Sequence, residues 1–238
     1  MADLAGKRIV VGVCGGIAAY KAVEVIRRLV DAGAHVIPIM TKGAEHFIGR
    51  TTLSALASEP VQTSLWDEAS PIPHTKLGQG ADLVLIAPAT ARLLGAYANG
   101  LSTDLMTNVL IATRAPVIVC PAMHTEMWEQ PSVAENVAVL ADRGVTMVGP
   151  VDGRLAGGDV GAGRMAEPAD IVAAAFLVEA LGPCTWSVAP VPIGSGRVRT
   201  AHGELPVPPP APALLRWCLR RLGCSPSSWR PMPPLGSI

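Results

Sequence analysis

Up to about residue 181, short apolar runs alternate with longer stretches in which apolar residues recur every three or four positions. Arg8 to Cys14 (RIVVGVC) reads as a strand that stops at Gly15-Gly16, and Ile17 to Ala32 carries helical periodicity up to Gly33. His35 to Met40 (HVIPIM) repeats the strand pattern, and Thr41 to Ala57 the helical one. Further strands are predicted at Leu83 to Ala87, Val117 to Cys120 and Val145 to Val148. Helices are predicted at Ala91 to Ala98, Asp104 to Thr113 and Ser132 to Arg143. Strands apolar at nearly every position are buried on both faces, and strands that alternate with helices pair in parallel. The expected fold class is therefore α/β, an open, doubly wound parallel sheet with helices on both faces. Ligands of such sheets bind at the carboxyl ends of the strands.

The pattern fades after Gly182, which sets two regions, a domain over 1–181 and a Pro-rich tail over 182–238. The tail holds more than half of the 22 prolines, and Glu204 is its only acid. Pro206 to Pro212 (PVPPPAP) reads as extended, polyproline-like chain, and the tail as irregular and poorly ordered. Lys and Arg balance Asp and Glu at 19 each, so the charge favours neither nucleic acid nor an anionic membrane surface. No apolar run approaches the ~20 residues that span a bilayer, and no signal peptide is read at the N-terminus. Five cysteines without metal-like spacing point to a reduced, cytoplasmic protein with no metal site.

Five segments carry candidate chemistry. Gly15, Gly16, Ile17 and Ala18, within VCGGIAAYK, lie at a strand-to-helix junction where glycines admit a phosphate to free backbone N–H groups. A tight turn is the competing reading, since G-x-G-x-x-G is absent. Ala89, Thr90, Ala91 and Arg92 begin the helix after the Leu83 strand, and Thr41 follows the His35 strand. Either threonine hydroxyl suits a nucleotide, or simply caps a helix. His74, read in a loop before a helix, is an acid–base candidate against the alternative of an exposed, idle histidine. Met123, His124 and Met127, with Trp128, follow the Val117 strand; packing is the alternative, and the H-E-x-x-H zinc pattern is not met. Ala156 to Met165, with Arg164, reads as a mobile flap carrying a cation, or as a structureless linker.

Together and in this order the segments resemble the flavin-dependent cysteine decarboxylases, in particular the phosphopantothenoylcysteine decarboxylases of coenzyme A biosynthesis. GGIAAYK, PH-x-x-L with its later Ala-Asp, APAT, PAM-x-x-x-M and GDVGAGRMAEP carry the resemblance, from about Lys7 to Ile171. It implies a flavodoxin- or Rossmann-like fold and flavin mononucleotide (FMN) held by Gly15 to Ala18, Thr41 and Ala89 to Arg92. It also implies His74 as the catalytic residue and Met123, His124, Met127 and Arg164 as substrate-binding residues. The implied reaction oxidises the thiol-bearing carbon to a thioaldehyde, releases carbon dioxide to leave an enethiolate, and returns the hydride. The implied assembly is a homotrimer or a dodecamer of trimers.

Two positions depart from the family pattern: His124 replaces an asparagine, and Gly157 replaces a cysteine that donates the last proton. Cys120 and Cys14 are the stand-in donors by sequence, weighed against the usual burial of free cysteines. Without a donor the reaction stops at the enethiol, as in members that modify the C-terminal cysteine of a peptide. A non-catalytic, flavin-binding regulatory subunit is a further alternative. Ala169 to Leu215 separately resembles a fragment of a nickel-insertion protein, with no complete site.

Overall fold

The computed structural model describes residues 4–66, 72–181, 197–200 and 203–206. The chain divides into two compact units, Met1–Pro192 and Ile193–Ile238. In the first, strands β1 (Arg8–Val13), β2 (His35–Met40), β3 (Leu83–Ala89), β4 (Val117–Pro121) and β5 (Thr146–Met147) form one sheet in the order β2-β1-β3-β4-β5. Every pairing in it is parallel. This is the flavodoxin-like strand order, whose direction of winding reverses between β1 and β3.

Side chains alternate across the sheet. Ile9, Val11, Val13, Leu83 and Leu85 join one core, beneath α1 (Lys21–Asp31) and α8 (Pro168–Leu181). Val10, Ile37, Val84 and Ile86 join the other. That second core also takes side chains from α3 (Pro73–Gly80), α4 (Ala91–Ala98), α5 (Leu105–Ala112) and α7 (Pro131–Asp142). Strands two residues in period with both faces covered are buried throughout, which explains their near-continuous apolar sequence.

Local chemistry sets the helix ends. Helix α1 stops at Gly33, whose φ of +84° suits a residue without a side chain. There the Ala34 N–H donates to the Leu29 carbonyl (3.0 Å) and the Gly33 N–H to Val30 (2.9 Å), a pairing that satisfies the last carbonyls. At α5 the Asp104 carboxylate accepts from the Thr107 N–H (2.9 Å), and the Thr107 hydroxyl answers the Asp104 N–H (3.0 Å).

Two expected elements differ. Thr41 to Ala57 is a 3-10 turn (Ala44–His46) and a short helix α2 (Arg50–Leu56), separated where Gly49 is extended. The flap segment is an antiparallel hairpin of β6 (Val151–Arg154) and β7 (Val160–Arg164), not the alternative structureless linker. Helical period-3.6 counting fails over Thr41 to Ala57, where exposed residues dominate and Gly49 breaks the helix. In the second unit the structure describes one antiparallel hairpin, β8 (Arg197–Thr200) with β9 (Gly203–Pro206). Beyond Pro206 the predicted polyproline segment lies outside the described residues. Among the described residues no helix is long and apolar enough to cross a membrane.

Candidate functional site

The winding reversal leaves a crevice at the carboxyl ends of β1 and β3. The Cys14 N–H donates to the Pro88 carbonyl (3.2 Å) across it, and the Thr41 N–H donates to Val13 (3.1 Å) on the other side. The turn after β1 lies against the turn after β2. A Cβ on Gly15 would stand 2.6 Å from the Gly43 carbonyl carbon and 2.9 Å from its Cα, so only glycine allows this approach. Gly16 is extended (φ 179°) and leads into a 3-10 turn, Ile17–Tyr20. The Ile17 and Ala18 N–H groups head that turn and have no partner among the described residues. Glycine-lined backbone with open N–H donors is chemically suited to a phosphate.

Both threonines of the crevice also cap. The Thr41 hydroxyl accepts from the Ala44 N–H (3.3 Å) and Thr90 from the Leu93 N–H (3.4 Å); Thr41 retains its own O–H to donate, while the Thr90 side chain also bonds the Cys14 thiol. Ala89 is buried and Ala91 half-buried. Arg92 is exposed and reaches Asp104 and Thr103, each at 3.4 Å.

His74 is not in a loop. It occupies the first turn of α3, which Pro73 opens as the first helical residue, a position where the missing N–H is not needed. Helix α3 ends two residues before β3 begins and packs back along the sheet through Leu77. Its first turn is thereby carried towards the carboxyl ends. The His74 Nδ1 is sealed from solvent and has no hydrogen-bond partner among the described residues. An unsatisfied buried nitrogen costs about 1–3 kcal/mol.

The loop after β4 and the hairpin form one unit. The Met123 N–H donates to the Gly163 carbonyl (3.0 Å). Side chains on Gly161 and Gly163 would overlap the Thr125 hydroxyl and the Met123 carbonyl, so glycine at both sites lets β7 lie on the loop and on α6 (Thr125–Trp128). The Thr125 hydroxyl is buried there without a partner among the described residues. Met123 is half-buried, and Met127 (45% exposed) and His124 face outward. Arg164 is engaged by Glu167. Cys14 and Cys120 are 1% and 0% exposed, and burial raises both thiols, that of Cys14 to about 12. Neither is placed to replace a surface donor.

Comparison with known proteins fits this geometry. Residues 2–179 match the family described as Flavoprotein. The chain belongs to that family. Residues 161–222 also match the family described as Nickel insertion protein, a range that begins inside the first match. Over 172 residues the chain is 48% identical to the coenzyme A biosynthesis bifunctional protein of Mycobacterium tuberculosis, covering 72% of this chain and 41% of that protein. It therefore spans less than half the length of this relative. A solved PPC decarboxylase, a cysteine-to-serine variant complexed with pantothenoylaminoethenethiol, is 31% identical with a TM-score of 0.65. That match covers 72% of this chain and 97% of the other. The FMN-dependent cysteine decarboxylase SpaF is 28% identical, TM-score 0.63, covering 74% and 99%.

One member of this flavoprotein site escaped sequence reading. Lys21 is buried, and its ammonium donates to the Met165 carbonyl and to Glu167 Oε1, both at 3.1 Å. It ties the start of α1, just after the glycine turn, to the foot of the hairpin. A signal existed: Lys21 shares the apolar stripe of Val25 and Leu29 at four-residue spacing. The hydrogen bond from Lys21, with the Lys21 and Arg164 charges, holds the Glu167 carboxyl below its ordinary range. A lowered carboxyl stabilises the fold above its unfolded-state value and loses that contribution as pH falls through the folded one. Glu167→Gln is thus expected to be less stable than wild type at pH 7, with the gap closing in acid. Glu167 is half-exposed, so the gap is at most about 1 kcal/mol. Urea unfolding of both proteins between pH 7 and pH 3 measures it; a gap that grows in acid refutes the pairing.

Proposed function

We propose that this chain is an FMN-dependent decarboxylase that converts 4'-phosphopantothenoylcysteine to 4'-phosphopantetheine in the cytoplasm. The observation that carries the proposal is His74: a buried imidazole nitrogen, without a partner among the described residues, in the first turn of the helix that leads to β3. Retaining an unsatisfied nitrogen at such a position is explained by a ligand that completes it. The names of the relatives, a PPC decarboxylase and an FMN-dependent cysteine decarboxylase, point to the same chemistry.

The residues present fit the cofactor. The Gly15–Gly43 approach and the open Ile17 and Ala18 N–H groups would hold the phosphate, with Thr41 and the Ala89–Arg92 turn on its flanks. When bound, the flavin supplies hydride acceptance and return. His74 takes the proton of the substrate thiol. Met123, His124 and Met127 receive the carboxylate end of the substrate under the hairpin. Arg164 contributes if it exchanges Glu167 for the substrate anion. Gly157 favours a second reading, oxidative decarboxylation of a peptide's C-terminal cysteine to an enethiol, because no thiol stands at the hairpin tip.

Incubating the flavin-loaded protein with 4'-phosphopantothenoylcysteine decides between them. Carbon dioxide with the saturated thiol supports the first reading. A product two hydrogens lighter supports the second, and no carbon dioxide refutes both for this substrate. The proposed assembly is a homotrimer, or a dodecamer of trimers. Ile17, Tyr20 and Phe47, half or more exposed around the glycine turn, support it as apolar surface for a second copy. Light scattering of a monomer at micromolar concentration refutes it.

A further inference from the structure

Loss of carbon dioxide leaves an electron pair on the carbon that carried it, and a redox-neutral product requires a proton at that carbon. The described thiols cannot deliver it, because Cys14 and Cys120 lie in the core. The loop after β4 offers one side chain of a type that titrates near neutrality, His124. His124 is exposed and precedes α6 without capping it, so its ring is uncommitted to the fold. A Cβ built on Gly157 would lie 3.1 Å from the His124 Cε1 and 4.0 Å from its Nδ1. Asp159 Oδ2 flanks the same point at 3.2 Å. The hairpin turn is held in place by the Leu155 N–H donating to Asp159 (2.8 Å) and the Gly158 N–H donating to Leu155 (3.0 Å). The imidazole thus stands beside the point from which a side chain at position 157 would project.

We propose that His124 is the proton donor that completes turnover, standing beside Gly157. The proposal rests on the decarboxylase reading above. An N–H bond of protonated His124 breaks and its electron pair stays on nitrogen. The new C–H bond takes the carbon–carbon π pair of the enethiolate, and the charge on sulfur closes to a thiocarbonyl. The hydride removed from the same substrate at the start of turnover returns to the thiocarbonyl carbon, and the π pair moves to sulfur as thiolate. Water reprotonates the imidazole, so the net change is carbon dioxide for a proton.

The measured quantity is the ratio of saturated thiol to enethiol, which a general loss of rate or binding leaves alone. Wild type is expected to release the saturated thiol, and His124→Gln to shift the ratio towards enethiol by at least ~10-fold, within the range of a lost general acid. The double variant His124→Asn with Gly157→Cys returns an acid to the same point and is expected to restore saturated product. A His124→Gln ratio within twofold of wild type overturns the proposal, as does a wild type that releases only enethiol. Absence of carbon dioxide from wild type is a different failure, that of the decarboxylase reading. A second measurement needs neither flavin nor substrate. A thiol beside an imidazole has a lowered pKa, so the one introduced by Gly157→Cys should alkylate about tenfold faster than in Gly157→Cys with His124→Gln. Peptide mass assigns the modified site. Equal rates show that the ring does not stand beside position 157 in solution, and overturn the proposal.

Discussion

Replacing His74 by asparagine is expected to lower turnover by at least ~10²-fold while the flavin stays bound. Asparagine keeps a polar group of similar reach but neither accepts nor releases a proton near neutral pH. The position tolerates the change, because His74 is half-buried in the first turn of α3 and its Nδ1 has no hydrogen-bond partner among the described residues. The start of that helix is set by Pro73, and its packing by Leu77 in the core and by Gly78 against the α5 backbone. None of these is disturbed. Flavin binding is expected to survive because the backbone donors of the glycine turn belong to a different segment, Gly15 to Ala18. Steady-state assays combined with the visible absorbance of the purified variant test both halves. A variant within a few-fold of wild type removes His74 from the chemistry, and a colourless one reassigns it to the cofactor.

Gly15→Ala is expected to weaken FMN binding by at least ~100-fold, about 2.7 kcal/mol. The added methyl would meet the Gly43 carbonyl carbon at 2.6 Å and its oxygen at 2.7 Å. Both sides of the clash are backbone, so no rotamer change relieves it, and the turn after β1 must move off the turn after β2. That displacement carries the Ile17 and Ala18 N–H groups away from the phosphate position. Gly16→Ala is the informative control. At Gly16 the backbone is extended and no atom lies within 4 Å of the added Cβ, so a smaller loss is expected. Flavin titration by fluorescence quenching measures both. Wild-type affinity in Gly15→Ala refutes the phosphate assignment, and equal losses at both positions assign the effect to contact with the ligand and not to the Gly43 approach.

Sequence alone determined the repeating part of this protein. Strands such as Arg8 to Val13 and helices such as Ala91 to Ala98 announce themselves because burial imposes a period, two residues across a sheet and 3.6 around a helix. Parallel pairing and a crevice at the carboxyl ends of the strands follow from that alternation. The glycine turn after β1 and the order of motifs were equally legible. Tertiary structure decided what has no period. The hairpin Val151 to Arg164 is short and glycine-rich, and its strands exist because β7 lies on the Met123 loop through Gly161 and Gly163. Lys21 is a charge in an apolar stripe, intelligible only once Glu167 and the Met165 carbonyl, 146 and 144 residues away along the chain, are brought to it. Burial turned Cys14 and Cys120 from plausible donors into packing. It also set His124 against Gly157, two departures that are 33 positions apart in the chain and adjacent in space. Local pattern records which residues must be buried; which side chains meet is set by the packing of distant segments, and that packing has no signature in neighbouring residues.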